Sequence, residues 1–294
     1  MDGLLLVDKP AGRTSADVVR VVKRILGVKT GHLGTLDPFA TGLLPICVGD
    51  GTKIAQFLSG ADKEYTGLIR LGAETDTGDC TGTVIVTAAV PALDTVRLAA
   101  VARTLLGESL QVPPMHSAIK RQGVPLYKLA RQGIEVERAA RRIAIQRLEL
   151  AVHEPDAIAF TVRCSKGTYV RVLAQDIARA LGTVGHLEVL RRVRFGHLDV
   201  RDAVPLDGIS AASAAVIGVR EALQPLREVR VDAGTARRAR HGYVPVLRDI
   251  PPGTRDEVVK LIGPDGELAS LIVMDEHRGW RFARVFAEVT DGAA

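Results

Sequence analysis

The sequence predicts an α+β protein that ends in a second, smaller β-rich domain. Two observations support this. Apolar residues recur at helical spacing in segments 14–26, 94–106 and 170–181, and strand-like runs lie between them. After about residue 226 the pattern changes to short β-type runs separated by turns. With 294 residues, the chain is long enough for one large and one small domain.

Local signals place the elements of the large domain. The apolar run 4–7 predicts a short buried strand. Thr14 and Asp17 form a capping-box pattern at the start of the first helix, and Gly27 ends it. Further strands are predicted at 43–49, 65–71, 83–87, 142–150 and 157–164, and further helices at 94–106 and 170–181. Between 111 and 142 the chain is basic and punctuated by proline and glycine, which predicts an excursion from the core.

The C-terminal part of the chain has a different pattern. Residues 210–228 are alanine-rich and predict a linker with a short helix at most. The β-type runs that follow are 243–247, 257–262, 268–273 and 281–285. Turns rich in proline and glycine at 251–253 and 263–266 separate them, which favours a small barrel or sandwich.

Composition narrows the class of protein. The net charge of +5 and the pI of about 9.3 favour a polyanionic partner. Three widely spaced cysteines without a Cys/His cluster indicate neither a disulfide framework nor a metal site. The first residues lack the basic flank of a signal peptide, and no apolar run approaches the ~20 residues of a membrane span. We therefore expect a soluble cytoplasmic protein.

The segment 31–42 is the strongest local indication of function. It contains three glycines and one proline in twelve residues, so it forms neither a good helix nor a good strand. Pro38 restricts the backbone of Asp37, which holds a carboxylate at a defined angle on an irregular segment. Segments of this kind often carry function, although an ordinary Asp-Pro turn would give the same pattern.

Further motifs occur in a fixed order around this segment. They lie at 6–15, 62–65, 70–79, 111–120, 164–171 and 190–194. Together with the Asp37 segment, they resemble the motifs of the TruB family of tRNA pseudouridine synthases. The resemblance is strong over roughly the first two-thirds of the chain and weak in the tail. It departs at His116, where some members of the family carry Tyr or Phe.

The resemblance implies a fold, a domain arrangement and an activity. The implied pseudouridine synthase fold is a mixed, largely antiparallel sheet flanked by helices, in a catalytic domain at 1–225. The basic segment at about 111–142 would be an RNA-gripping insertion, and 226–294 a PUA-like β-barrel that binds RNA. The implied activity is isomerisation of one T-loop uridine of tRNA to pseudouridine, with the T-stem-loop of tRNA as partner. We expect no cofactor, no metal and no obligate protein partner, and a monomer.

Three residues match the catalytic positions of the family. Asp37 would be the nucleophile, attacking either C6 of the base or C1′ of the ribose. Arg171, which ends the Ser-Lys-Gly-Thr-Tyr-Val-Arg motif, would keep that carboxylate ionised against desolvation. Tyr65 would stack on the target base and is a candidate for removing the C5 proton. A tyrosine that opens a strand, or an arginine that opens a helix, can also be purely structural.

The resemblance also implies residues that bind substrate. His32 would fill the gap left in the RNA when the base is flipped out, and Leu190 would line the uracil pocket. Lys9 would support the Asp37 loop, and Tyr169 would pack beneath the neighbouring loop. Phosphate contacts are expected from four basic residues, although each could simply be solvated. These four are Lys120, Arg121, Arg141 and Arg142.

Other classes of function fit parts of the sequence. A tRNA-binding or folding factor that clamps the T-arm would need the basic segment but not the combination of Asp37, Tyr65 and Arg171. An aspartate-nucleophile hydrolase would show regular β-α alternation and a carboxylate cluster for a metal, and neither is evident. A guide-RNA-dependent synthase would share the core and usually carries extended charged tails.

Overall fold

The computed structural model describes residues 2–211 and 214–287, and a mixed sheet of eleven strands dominates these ranges. Residues 212–213 of the predicted linker and 288–294 of the predicted tail domain lie outside them. In chain order the strands are β1 (Gly3–Lys9), β2 (Thr30–His32), β3 (Thr41–Val48), β4 (Lys63–Leu71), β5 (Ala73–Thr75), β6 (Val84–Thr87), β7 (Gly107–Gln111), β8 (Lys120–Arg121), β9 (Val124–Pro125), β10 (Arg141–Glu154), β11 (Ala157–Cys164), β12 (Gly185–Phe195), β13 (Leu198–Asp199), β14 (Val204–Pro205), β15 (Val216–Gly218), β16 (Arg227–Arg230), β17 (Val258–Ile262), β18 (Leu268–Asp275) and β19 (Gly279–Val285).

The helices are fewer than the strands in the described ranges. They are α1 (Ser15–Leu26), α2 (Ala55–Leu58), α3 (Thr95–Thr104), α4 (Leu126–Ala130), α5 (Val170–Ala180), α6 (Val219–Ala222) and α7 (Ala233–Arg240), with 3₁₀ turns at Gly49–Lys53, Val200–Asp202, Leu206–Gly208 and Val244–Asp249. Within those same ranges, no helix combines the length and apolar character needed to cross a membrane.

The large sheet is mixed and mainly antiparallel, as expected. Its order is β14-β1-β3-β12-β4-β11-β10-β7, and the β1–β14 and β3–β12 pairs along this path are parallel. Alternate residues of β1 enter two different cores: Leu5 and Val7 pack with α1, α3 and α5, whereas Leu4 and Leu6 pack with α2, α6 and part of the tail. Helices therefore flank both faces, because successive side chains of a strand point to opposite sides.

Several local predictions are confirmed in detail. The Thr14 hydroxyl accepts a hydrogen bond from the Asp17 amide, and the Asp17 carboxylate accepts one from the Thr14 amide. Gly27 ends α1 in the left-handed conformation, with φ of 68°. The predicted strands of the first 165 residues all form, with ends displaced by a few residues at most.

The strands β7 and β12 were not predicted. Residues 185–195 contain two leucines and four charged side chains, and they show no clean alternation. They are extended because they pair with β4 on one side and β3 on the other. At the β3 pairing, Gly42 has φ of +98°, and a Cβ there would lie 2.3 Å from the Arg192 carbonyl oxygen. Only glycine allows so close an approach at that backbone angle.

The tail forms an open four-stranded sheet in the order β16-β17-β18-β19. The described residues therefore do not confirm the predicted barrel, although a small C-terminal sheet is present. The strand predicted at 243–247 is wrong, since Val244–Asp249 is a 3₁₀ turn with a proline in its first turn. The helix α7 was not predicted, because its residues are mostly charged or small and show little apolar periodicity.

Candidate active site

A cavity of about 320 Å³ opens where the Asp37 loop, β4, β12 and the start of α5 meet. This volume lies at the lower end of the ~300–1,000 Å³ typical of ligand pockets. Its walls combine apolar, aromatic and charged side chains. Asp37, Lys63, Tyr65, Ser117, Lys166, Tyr169, Arg171, Leu190 and Arg192 are among the lining residues. Several of the residues predicted from separate motifs therefore share one cavity.

The loop that carries Asp37 is held from behind by buried polar contacts. The Lys9 ammonium is fully buried and donates to the carbonyl oxygens of Pro10, Arg13 and Pro38 at 2.8, 2.7 and 3.2 Å. The Ser15 hydroxyl bonds to the backbone of Leu36, accepting from its amide at 2.9 Å and donating to its carbonyl at 3.1 Å. These contacts tie the residues on each side of Asp37 to β1 and α1, so the carboxylate has a defined position.

Asp37 and Arg171 form a close ion pair inside the cavity. Arg171 Nε lies 2.9 Å from Asp37 Oδ2, and Arg171 Nη2 lies 3.3 Å from Asp37 Oδ1. This is the two-point geometry in which a guanidinium binds a carboxylate most strongly. The Arg171 side chain is 5% exposed, whereas the Asp37 side chain is 33% exposed. The arginine is thus part of the wall, and the carboxylate faces the cavity.

Further contacts fix the Arg171 guanidinium. It donates to the carbonyl oxygens of Thr77 at 2.8 Å and His116 at 2.7 Å, and its Nε lies 3.7 Å from Asp79 Oδ2. Asp79 is itself buried and held by Thr77 and Thr81. One buried cation therefore stands between two carboxylates, with little freedom to rotate.

Groups in the site shift the pKa of the Asp37 carboxyl group in opposite directions. Burial raises the pKa of Asp37 above its ordinary value, and the negative charge of Asp79 adds to this effect. The positive charges of Arg171 and Lys9 act in the opposite direction. An aspartate so placed is a poorly solvated anion beside fixed cations. Such an anion is a better nucleophile than one covered by water.

Tyr65, Leu190 and Tyr169 also line the cavity. Tyr65 projects from β4, is 8% exposed and has its pKa raised by burial. Leu190 comes from β12 and is 5% exposed. Tyr169 precedes α5, and its backbone amide and carbonyl bond to the Gln111 side chain at 2.7 and 3.2 Å. An aromatic ring, an aliphatic side chain and a carboxylate thus face one space, a combination suited to a flat polar ring.

The other predicted site residues lie outside this cavity. His32 lies in β2, half-buried, and its Nδ1 is buried with no hydrogen-bond partner among the residues that the structure describes. Lys9 acts on the site through its hydrogen bonds to the backbone of the loop and through its positive charge, which opposes the rise in the pKa of Asp37. Lys120 and Arg121 lie in β8 and, with Arg141, line a separate hollow of about 260 Å³, whereas Arg142 is exposed beside Glu108. All four basic residues are exposed on the insertion and its exit strand, so they are accessible to RNA phosphates.

The sequence did not assign a role to three charged residues of the site. Asp79 sits behind Arg171, and Lys63 and Arg192 line the cavity. Asp79 and Arg192 lie in matched motifs, and Lys63 lies in the Asp62–Tyr65 motif, which is the signal that could have identified them. Their roles depend on which strands are neighbours, and the motifs alone do not contain that information.

The chain matches two family models. The TruB family pseudouridylate synthase model (N-terminal domain) covers residues 23–170, and the model of the tRNA pseudouridylate synthase B C-terminal domain covers 171–229. The chain belongs to the TruB family. A "tRNA pseudouridine synthase B" of Aromatoleum aromaticum is 53% identical over 216 residues, which are 73% of this chain and 70% of that protein. One of Syntrophotalea carbinolica is 42% identical over 281 residues, 92% of this chain and 91% of that protein.

Solved structures share the fold. The chain is similar to one in a "Cbf5-Nop10-Gar1 Complex", with a TM-score of 0.69, 25% identity and coverage of 97% of this chain and 84% of that chain. A chain of an "H/ACA RNP bound to a substrate RNA containing 2'-deoxyuridine" has a TM-score of 0.70 at 22% identity, covering 97% and 85%. Membership of the TruB family and this likeness identify the large sheet as the pseudouridine synthase fold, and the chain as an isomerase of that family.

Proposed function

We propose that this TruB-family enzyme converts one uridine in the T loop of tRNA to pseudouridine, with Asp37 as the nucleophile. The observation that carries the proposal is the Asp37–Arg171 ion pair at the wall of a cavity that also contains Tyr65 and Leu190. The tRNA substrate is supported by relatives of 42–53% identity that are named tRNA pseudouridine synthase B. The T-loop position follows from the motifs that resemble the family.

The chemistry requires groups of the kind found in this cavity. The N1–C1′ bond of uridine must break, the uracil must turn, and C5 must join C1′. These steps consume neither redox equivalents nor phosphate energy, so no cofactor is expected. Asp37 would form a covalent bond to C6 or C1′ and later leave. Arg171 would hold the carboxylate ionised and aimed, and Tyr65 would accept the C5 proton in the last step.

Other parts of the chain would position the RNA. The T-loop uridine must leave its stack, which costs a few kcal/mol, and His32 would occupy the space it vacates. Leu190 and Tyr169 would contact the flipped nucleotide. The basic residues of the insertion at about 111–142 would bind phosphates, as would a PUA-like tail domain from about residue 226. The enzyme would act in the cytoplasm as a monomer, without an obligate protein partner.

The test compares the wild type with Asp37→Asn on an unmodified tRNA transcript. The substitution removes the charge and keeps the shape, so tRNA binding should persist while pseudouridine formation stops. Pseudouridine is mapped to single nucleotides, and binding is measured in parallel. A transcript with cytidine in place of the T-loop uridine serves as the matched substrate control.

Each outcome separates the proposal from its alternative. Conversion of one T-loop uridine by the wild type alone, with normal binding by Asp37→Asn, supports the proposal. Binding by both proteins without any pseudouridine contradicts it and favours a tRNA-binding or folding factor. Conversion outside the T loop would contradict the substrate position only.

A further inference from the structure

Two buried arginines line the cavity, and they differ in their partners. Arg171 is paired with the carboxylates of Asp37 and Asp79. Arg192 is 1% exposed, and within the described residues it forms no ion pair with a carboxylate. Its Nε donates to the Leu43 carbonyl oxygen at 2.7 Å, and its Nη2 donates to the Gly34 carbonyl oxygen at 3.1 Å. Burying a charge without a counter-ion destabilises the folded state, so a buried arginine of this kind is expected to have a function.

The groups around Arg192 make the burial of its charge still less favourable. The side chains of Lys9, Lys63 and His32 lie close enough for the positive charge of Arg192 to lower the pKa of each. The guanidinium also lies 5.5 Å from the centre of the Phe195 ring. Among the described groups that act on Arg192, the one that can carry a negative charge is Tyr65, which lies opposite Arg192 in the sheet and lines the same cavity.

The contact between Tyr65 and Arg192 is set by the sheet. The two residues are direct partners in the antiparallel β4–β12 pair, so their side chains lie on the same face. The titratable groups that act on Tyr65 include Arg192 from β12, Cys164 from β11 and Asp37 from the loop, and Lys63, Lys166, Tyr169 and Arg171 line the same cavity. Burial, Cys164 and Asp37 raise the pKa of Tyr65, and the nearby guanidinium of Arg192 opposes them.

We propose that Arg192 is a positioning residue that aims the Tyr65 hydroxyl and stabilises its ionised form for removal of the C5 proton. This inference rests on the proposed function. In the step concerned, the C5–H bond breaks and its electron pair forms the C5=C6 double bond. The C6=N1 pair moves onto N1, which takes a proton from water, and the C5 proton passes to the Tyr65 oxygen. In this role Arg192 acts through Tyr65.

A purely structural role explains the position of Arg192 less well. Its two backbone acceptors belong to ordinary loop and strand carbonyls, and a neutral donor could satisfy either of them. The adjacent Arg191 points to the opposite face and binds both oxygens of Asp8, at 2.9 and 2.7 Å. Arg191 therefore offers a matched control: the same residue type on the same strand, paired in the conventional way and outside the cavity.

The test uses Arg192→Met, Arg192→Lys, Arg191→Met and Tyr65→Phe. Each is assayed in single turnover on tRNA transcripts that carry either ordinary uridine or uridine deuterated at C5. The rate is followed from acid to alkaline pH, with tRNA binding and thermal unfolding in parallel. Deuterium at C5 slows only the proton removal, so the isotope effect reports that step directly.

Loss of Arg192 should slow the final step and make it rate-limiting. Arg192→Met should be ~10- to 100-fold slower, at or below the lower limit of the 10²–10⁴-fold that a general base contributes, because Tyr65 itself remains. Its C5 deuterium isotope effect should exceed that of the wild type, and its rate should recover at higher pH, because the pKa of Tyr65 is no longer lowered. The rate of Arg192→Lys, which keeps the charge, should lie between those of Arg192→Met and the wild type. Arg191→Met should match the wild type, and Tyr65→Phe should form no product.

Two results would overturn the inference. One is a folded Arg192 variant that is slower but keeps the isotope effect and pH profile of the wild type; this would show a structural role. Should Arg192→Met not fold, Arg192→Lys decides by the same criteria. The other is normal turnover by Tyr65→Phe. Failure of the proposed function can be told apart from failure of this inference, because in that case the wild type itself would form no pseudouridine.

Discussion

Replacing Arg171 tests how the buried ion pair supports the reaction. Arg171→Lys keeps a positive charge but removes the planar fork, so one ammonium must replace donors that now reach Asp37, Thr77 and His116. Arg171→Met removes the charge altogether. Asp79, whose side chain is 6% exposed, then loses the cation beside it.

The structure sets the expected magnitudes. A hydrogen bond to a charged group contributes about 1.5–3 kcal/mol, so loss of one from the Asp37 pair predicts a fall of roughly 10- to 150-fold in kcat/KM for Arg171→Lys. Removing one partner of a buried ion pair lowers the free energy of unfolding by about 3–5 kcal/mol. This range is an upper limit for Arg171→Met, because the Asp37 side chain is one-third exposed. Without Arg171, the pKa of Asp37 should rise further.

The sign of the pH effect follows from the charge that the reaction needs. Under the proposed function Asp37 must be ionised, so activity should be lost as the pH falls through its pKa. In Arg171→Met this acid limb should therefore move to higher pH. Single-turnover pseudouridine formation across pH measures the shift, and Arg179→Met is the matched control, since Arg179 lies on the same helix, is 54% exposed and pairs with Glu74. An unchanged acid limb in folded Arg171→Met would refute the reasoning.

Two further predictions concern stability and binding. Burial lowers the pKa of Lys9 from 10.5 to about 8, so between these values the unfolded chain binds more protons. The unfolding free energy of the wild type relative to Lys9→Met should therefore rise with pH over this window, by up to about 1.4 kcal/mol per pH unit; a difference that does not change with pH would contradict it. Replacing Arg141 and Arg142 by alanine should weaken tRNA binding. The slope of the logarithm of the binding constant against the logarithm of the salt concentration should become less steep by ~0.7–0.9 for each phosphate that the protein no longer neutralises. Arg147→Ala, on the same strand but paired more closely, with Glu149 at 2.7 Å against 3.4 Å for Arg142 and Glu108, should change neither property, and equal effects would contradict a phosphate role for Arg141 and Arg142.

The sequence predicts best where structure depends on neighbours along the chain. The capping box at Thr14, the stop at Gly27 and the strand 157–164 are local, and they form as predicted. The tail is predicted less well. The barrel is not confirmed, and 243–247 is a 3₁₀ turn rather than a strand, because the sequence pattern of a short apolar run containing proline fits both.

The sequence alone determined the family, the Asp37 loop and the residue types proposed for the chemistry, because each depends on a short contiguous motif. Tertiary structure alone decided which of these side chains meet. Arg171 reaches Asp37 across 134 positions, and Asp79 joins them from a third segment. Arg192 faces Tyr65 only because β12 pairs with β4 in one register. A shift by one residue would turn Arg192 to the other face, since strand side chains alternate, and nothing in a local motif specifies that register.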